Sequence, residues 1–276
     1  MCSLYEKEGG QMITLPVSLT IEPSKKGEDF LNKKARKWIE AQGGDRSKEE
    51  LLHASDCLDP RYAYFSRLDP RPIPDRLVPI FLIGRVLHAF VICAVEGKPF
   101  DLAADGGSNV SKELGITFSP DMNFNGKVRE IKTSRSFYEP SEPKDLAMYC
   151  EQVLIYLAGT GQTEGDIWCL YMNIKGGPAF RVYQLKISKE DLKKVQAEIA
   201  LITKTFKKAQ KEKKPSILPL CRLFKCHPKE CAYFEKCKPE GRYGIPRTQW
   251  KKDPENPLLQ IASLKVAEKP GARTRV

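Results

Sequence analysis

The chain lacks several features that would have placed it quickly. Residues 1–22 contain no basic start followed by an apolar run, so a secretory leader is not expected. No segment repeats along the chain, which sets solenoid and propeller architectures aside. No helicase motif is present, so any strand separation would have to come from a partner protein. An uncharged run of membrane length is also missing. The most apolar stretch, Leu77 to Val95, carries Arg85 and His88 in its middle. Both are costly in a bilayer and ordinary in a buried helix, so a core helix with no membrane association is expected.

What is present points elsewhere. With 276 residues and 41% of them apolar, the chain can bury a core without disulfides. Its 46 Lys and Arg outnumber 35 Asp and Glu, a net charge of +11. That sign favours a polyanionic partner, because each cation placed on a phosphate releases a counterion. A surface charged only for solubility is the competing reading. Nine cysteines without a leader argue against a disulfide framework and for metal or redox chemistry in a reducing, cytoplasmic setting. Cys221, Cys226, Cys231 and Cys237 crowd into 17 residues. Cys93, Cys150 and Cys169 lie in apolar segments and read as ordinary core residues.

Residues 1–25 read as a short irregular or strand-like lead, followed by helices over about 27–42 and 47–64. Pro70, Pro72, Pro74 and Pro79 mark an extended connection into the apolar helix, and a Gly- and Asp-rich loop follows near Asp105. Strand-like runs at 116–124 and 127–134 flank Asn125-Gly126, a strong hairpin signal. A helix over about 144–158, strands at 166–174 and 180–187, and a long helix capped by Ser188 come next. This order implies an α/β fold with one mixed sheet and helices packed on it. Residues 26–237 read as one domain, and 238–276 as a basic tail with little fixed structure.

A two-residue turn at Asn125-Gly126 pairs Phe124 with Lys127 and therefore sets Asp121 opposite Glu130. Two facing carboxylates repel unless a cation lies between them, and a hard divalent ion is a natural candidate. Strand alternation places Lys132 one step along the same face. Such a set could activate a water and offset charge on a phosphodiester under attack. An exposed face with alternating charges is the plainer reading of the same pattern.

Further residues join this patch by family resemblance. Ser119-Pro120-Asp121 followed by Glu130-Ile131-Lys132 resembles the signature of the PD-(D/E)XK nuclease superfamily. Gly84-x3-His88 and Gln152-x3-Tyr156 are similar to elements of its RecB-like exonuclease branch, in the same order along the chain. The resemblance implies a restriction-endonuclease-like core. It implies that His88, Asp121, Glu130 and the backbone carbonyl of Ile131 bind Mg2+ or Mn2+, and that Lys132 serves the attacking water. It further implies that Gln152 and Tyr156 touch DNA or brace the site. Spacing agrees, since Gly84 four residues before His88 would leave room on the imidazole's helix face. Without that context, His88 would read as a core histidine and Gln152 and Tyr156 as packing.

The cysteines extend the resemblance. Cys226-x4-Cys231-x5-Cys237, with Cys57 far upstream, is similar to the ligand pattern of iron–sulfur RecB-like nucleases. That group includes the exonuclease associated with CRISPR adaptation and AddAB-type nuclease domains. The likeness implies a 4Fe-4S cluster clamping the chain's early and late segments together. The pattern departs from the family in having four residues, not two, between Cys226 and Cys231. A structural Zn2+ held by Cys221, Cys226, Cys231 and Cys237 is the alternative. The function implied is a metal-dependent nuclease, an exonuclease on single strands or DNA ends, with helicase, recombination or CRISPR-adaptation partners. A non-catalytic or zinc-stapled nucleic-acid-binding module is the alternative.

Overall fold

A computed structural model describes residues 3–6, 12–14, 24–43, 50–104, 106–135, 146–175, 177–221 and 231–238. Two short strands, β1 (Ser3–Glu6) and β2 (Met12–Thr14), pair antiparallel. Helix α1 (Lys25–Gly43) falls where the sequence pattern puts it. The expected helix over 47–64 does not form as one piece. Instead β3 (Leu52–His53) leads into α2 (Ala54–Leu58) and then α3 (Pro60–Leu68). His53 caps α2 by accepting from the Ser55 N–H, so the helix begins there. Pro60 pushes Asp59 out of helical geometry, to φ −138° and ψ 65°, and opens a new helix as its first residue.

The proline-rich connection leads into α4 (Val78–Glu96), with Pro79 in its first turn and Gly97 closing it at φ 65°. The expectation of a buried core helix is corrected here. Segment 75–96 is long and apolar enough to cross a membrane, yet only 28% of its apolar 18-residue window is buried within the protein. Ala89, Val91, Ile92 and Cys93 are buried, while Ile80, Phe81, Ile83 and Phe90 are exposed. Apolar composition shows what a helix could bury, but the sheet offers α4 only one stripe of contact, chiefly along β7.

The single strand expected over 116–124 divides as well. After β4 (Asn109–Ser111), β5 (Ile116–Phe118) pairs with β3 and β4 in a three-stranded mixed sheet. Strand β6 (Met122–Phe124) belongs to the main sheet, and Pro120, which has no N–H for a ladder, lies at the break. The main sheet runs β6-β7-β8-β9, with β7 (Lys127–Ser134), β8 (Glu164–Tyr171) and β9 (Ala179–Lys186). Its β7–β8 pair is parallel and its other pairs antiparallel. The protein is thus mixed α/β, with more than the one sheet expected.

Helix α5 (Ala147–Thr160) packs on one face of this sheet, and α6 (Lys189–Glu212) and α2 pack against α5. Ser188 caps α6 by accepting from Asp191 N at 3.0 Å, as its position implied. The main core lies here, around Val128, Val153, Tyr156, Ile167 and Ile199. A smaller cluster, Val91, Ile92, Met122 and Ile131, joins α4 to the other face. The site described next lies where these two layers meet the β6–β7 hairpin. A short α7 (Phe234–Cys237) ends the described chain, and the expected tail from 239 onward lies outside it.

Candidate metal centre

The hairpin sets the geometry. Asn125 and Gly126 both adopt positive φ, 52° and 71°, as a tight two-residue turn between right-twisted strands requires. Met122 pairs with Arg129, Asn123 with Val128 and Phe124 with Lys127. One step further, Asp121 comes level with Glu130. Its Oδ2 accepts from Ile131 N at 2.7 Å. In an antiparallel ladder a residue sends N–H and C=O to the same side, so the Ile131 carbonyl also points along this edge.

Helix α4 brings His88 to the same carboxylate, with Nδ1 3.4 Å from Asp121 Oδ1. Glu130 is 1% exposed and forms the floor, whereas Asp121, Lys132 and His88 remain about one-fifth exposed, at 23%, 22% and 20%. The site therefore opens to solvent on the side of Asp121 and His88. Lys132 bonds Glu130 Oε1 and lies 3.3 Å from Gln152 Oε1, with its ammonium 5.6 Å from the centre of the Tyr149 ring. Gln152 donates onward to the Tyr156 hydroxyl at 2.6 Å.

Charge is unevenly shared in this cluster. Burial and the neighbouring Asp121 push the Glu130 carboxyl up to about 8, against the opposing pull of Lys132 and Tyr156. Burial also pushes Asp121 upward, but His88, Lys132 and the Ile131 N–H outweigh it and leave Asp121 below its ordinary value. Burial lowers Lys132, yet the two carboxylates more than compensate and raise it. Asp121 is the carboxyl that stays ionised, and Glu130 is the one that takes up a proton. Burial and the two carboxylates also hold Tyr156 well above its usual value, so its hydroxyl remains neutral.

Glu130 Oε2 is buried and has no hydrogen-bond partner. Such an orphaned oxygen is costly in a protein interior unless a water, an ion or a proton meets it. Among the described residues, no three His, Cys, Asp or Glu side chains stand close enough to form a ready metal cage. Asp121 turns one oxygen to a backbone N–H, and Glu130 turns one to Lys132.

The six side chains singled out in the sequence, His88, Asp121, Glu130, Lys132, Gln152 and Tyr156, thus come from α4, the β6–β7 hairpin and α5 to one place. Tyr156 is 1% exposed and stacks on Phe118 at 6.1 Å. At Gly84 a Cβ would meet nothing within 4 Å, so packing among the protein's own residues does not require glycine there. Two residues escaped sequence reasoning. Tyr149 lies beneath Lys132, and its spacing from Gln152 and Tyr156 along one helix face could have revealed it. A Cβ at Gly106 would lie 2.0 Å from the Pro120 carbonyl oxygen, so only glycine lets that loop pass beside Asp121. No local sequence signal marks that approach.

The cysteines divide. Cys221, Cys231 and Cys237 line one small pocket with Tyr62, Phe65 and Tyr233, while Cys226 lies outside the described residues. Cys57 does not line it and is buried in the main core, where burial pushes its thiol up to about 12. Cys93, Cys150 and Cys169 are buried, as expected of core residues. The early and late segments do meet. Arg61 donates to Leu218 O and Ser216 O, and the Tyr233 hydroxyl donates to Asp69 O at 2.8 Å.

Neither a family model nor a curated protein sequence matches the chain. Among solved structures it is similar to one titled "Crystal structure of SSO0001", at 18% identity and a TM-score of 0.47. That similarity covers 78% of this chain and 96% of the other.

Proposed function

We propose that the protein is a divalent-metal-dependent deoxyribonuclease of restriction-endonuclease-like architecture, acting as an exonuclease on single strands or DNA ends. The observation that carries this reading is the convergence of Asp121, Glu130 and Lys132, with Glu130 Oε2 buried and unpartnered. The donor set fits a hard cation: two carboxylates, the Ile131 carbonyl edge and the His88 imidazole beside Asp121. Asp121, Glu130, the Ile131 carbonyl and His88 would hold Mg2+ or Mn2+. Bound there, such an ion supplies Lewis acidity to a scissile phosphate and lowers the pKa of a water.

The chain's own groups do the rest. Lys132, held between Glu130 and Gln152 over the Tyr149 ring, can donate to an attacking water and to charge developing on phosphate. Gln152 fixes the position of that ammonium, and Tyr156 fixes Gln152. Glu130 has to release its proton before it can serve a cation, whereas Asp121 is already ionised. The net charge of +11 suits a nucleic-acid substrate.

The cysteine pocket suits a thiolate-bound structural group, with Cys231 and Cys237 in its ligand set. A 4Fe-4S cluster completed by Cys57 and Cys226 is the reading the family resemblance favours. The presence of Cys221 in the pocket and of Cys57 in the core favours a set of Cys221, Cys226, Cys231 and Cys237, which suits zinc equally. Metal analysis of anaerobically purified protein separates iron with sulfide from a single zinc.

The test of the enzymatic reading is cleavage of end-labelled single- and double-stranded DNA with Mg2+ or Mn2+, beside the Asp121→Ala protein. Metal-dependent cleavage lost in that variant is the expected outcome. Full activity in it would sink the proposal.

A further inference from the structure

The carboxylate site uses α4, the hairpin and α5, and leaves α6, a strongly basic helix, without a role. The buried stripe of α6, including Leu192, Val195, Ile199, Ile202 and Phe206, packs into the main core. At helical spacing Lys204, Lys207, Lys208 and Lys211 lie on the opposite face, and all four are exposed. The two halves of this face differ. Near the start, Lys194 pairs with Asp191 at 2.9 Å and Glu190 at 3.5 Å. Beyond Glu198 the helix carries one carboxylate, Glu212, which is 3.9 Å from Lys208. Among the described residues, Lys204, Lys207 and Lys211 have no carboxylate within ion-pair distance.

Folding alone gives no reason for this arrangement. Like charges three and four residues apart destabilise a helix. The helix dipole rewards cations only in the last turn, which accounts for Lys211 but not Lys204 or Lys207. The ridge also continues past the helix end. Lys213 closes α6 at φ 52°, a conformation that favours glycine, and Lys213 and Lys214 line a groove with Arg61, Phe65 and Ser216.

We infer that this lysine ridge, from Lys204 through Lys214, is a second nucleic-acid contact that grips phosphates independently of the carboxylate site. The inference rests on nucleic acid being the substrate class. Lys204 to Lys211 spans about 10 Å of helix axis, over which one strand of a duplex carries about three phosphates. Flexible ammonium groups read charge and not sequence, so the ridge would hold substrate of any sequence while the hairpin cuts it.

The test is binding of a fluorescent single-stranded oligonucleotide without divalent ions, titrated between about 50 and 200 mM salt. The proteins compared are Asp121→Ala alone and Asp121→Ala carrying Lys204→Gln, Lys207→Gln and Lys211→Gln. Glutamine keeps helix propensity close to that of lysine. The triple substitution is expected to weaken binding on the order of tenfold at the lower salt and to flatten the salt slope by about 2. Its thermal midpoint should be unchanged or higher, since like-charge repulsion is relieved. Unchanged affinity and slope would overturn the inference, as would lost binding accompanied by a lower midpoint. Intact DNA binding with loss of binding only to phosphatidylserine vesicles would overturn it too. If the native protein cuts no DNA but the binding difference holds, the nuclease reading falls and the ridge stands.

Discussion

Glu130 carries the main energetic conflict of the site. A carboxyl 1% exposed, facing Asp121 and with one oxygen unpartnered, favours its neutral form, and its pKa rises from an ordinary 4.5 to about 8. Between those values the folded protein keeps a proton that the unfolded chain releases. Metal-free stability should therefore fall as pH rises through this window. Glu130→Gln is expected to flatten that dependence and raise the thermal midpoint above that of the native protein at pH values near or beyond 8, while abolishing cleavage. Mg2+ or Mn2+ should stabilise the native protein more at the alkaline end, because Glu130 must lose its proton to bind, and should leave Glu130→Gln nearly unaffected. Melting curves across pH, with and without the ion, check both, and a native curve flat from pH 5 to 8 would contradict the account. Lys132→Ala removes the only ammonium at the site among the described residues and should lower kcat on the order of 100-fold or more, while its far-ultraviolet dichroism stays native.

At the scale of elements, the hairpin and the helices around it aim these groups. A Cβ at Gly106 collides with backbone, the Pro120 carbonyl at 2.0 Å, and backbone yields less readily than a flexible side chain. Gly106→Ala should displace Asp121 and reduce cleavage at least tenfold although Gly106 has no polar side chain to offer substrate, because small misplacements of reacting groups are costly. A crystal structure or a metal titration of the variant would show whether Asp121 has moved. Gly159 plays a parallel part beneath Tyr156: a Cβ there lies 2.5 Å from the Phe118 ring, which stacks on Tyr156. Gly159→Ala is expected to cost about 1–3 kcal/mol by overpacking, read by denaturant unfolding. The hairpin was legible in the sequence because Asn-Gly and strand alternation are local rules, and its register matches at every paired position. The break at Pro120 and the split at Pro60 were less so, since a proline signals interruption without saying which sheet or helix each side joins.

At the scale of the whole molecule, α3 is tied to the end of the described chain by contacts that need no cofactor. Arg61 serves the carbonyls of Leu218 and Ser216, and Tyr233 and Lys236 both bond to Asp69. Arg61→Ala should lower global stability by about 2 kcal/mol whether or not metal occupies the cysteine pocket. Cys231→Ser and Cys237→Ser should abolish the iron or zinc binding proposed for this pocket and lower the thermal midpoint, with cleavage lost only as far as the fold is lost. Elemental analysis alongside melting would separate the two contributions. The clamp between early and late segments was anticipated through Cys57, yet Arg61, four residues on, makes the contact described here.

The sequence by itself determined the hairpin register, the cap of α6 and the long helices, though not how residues 47–64 and 116–124 divide. Turn chemistry, strand alternation and helical spacing act over a few residues and are written in their order. Only the tertiary structure decided that α4 would leave an apolar face in solvent, that Cys221 and not Cys57 would line the cysteine pocket, and that Gly106 would pass against Asp121. Each depends on which surfaces meet across long separations in the chain, and composition and spacing carry no information about that partner.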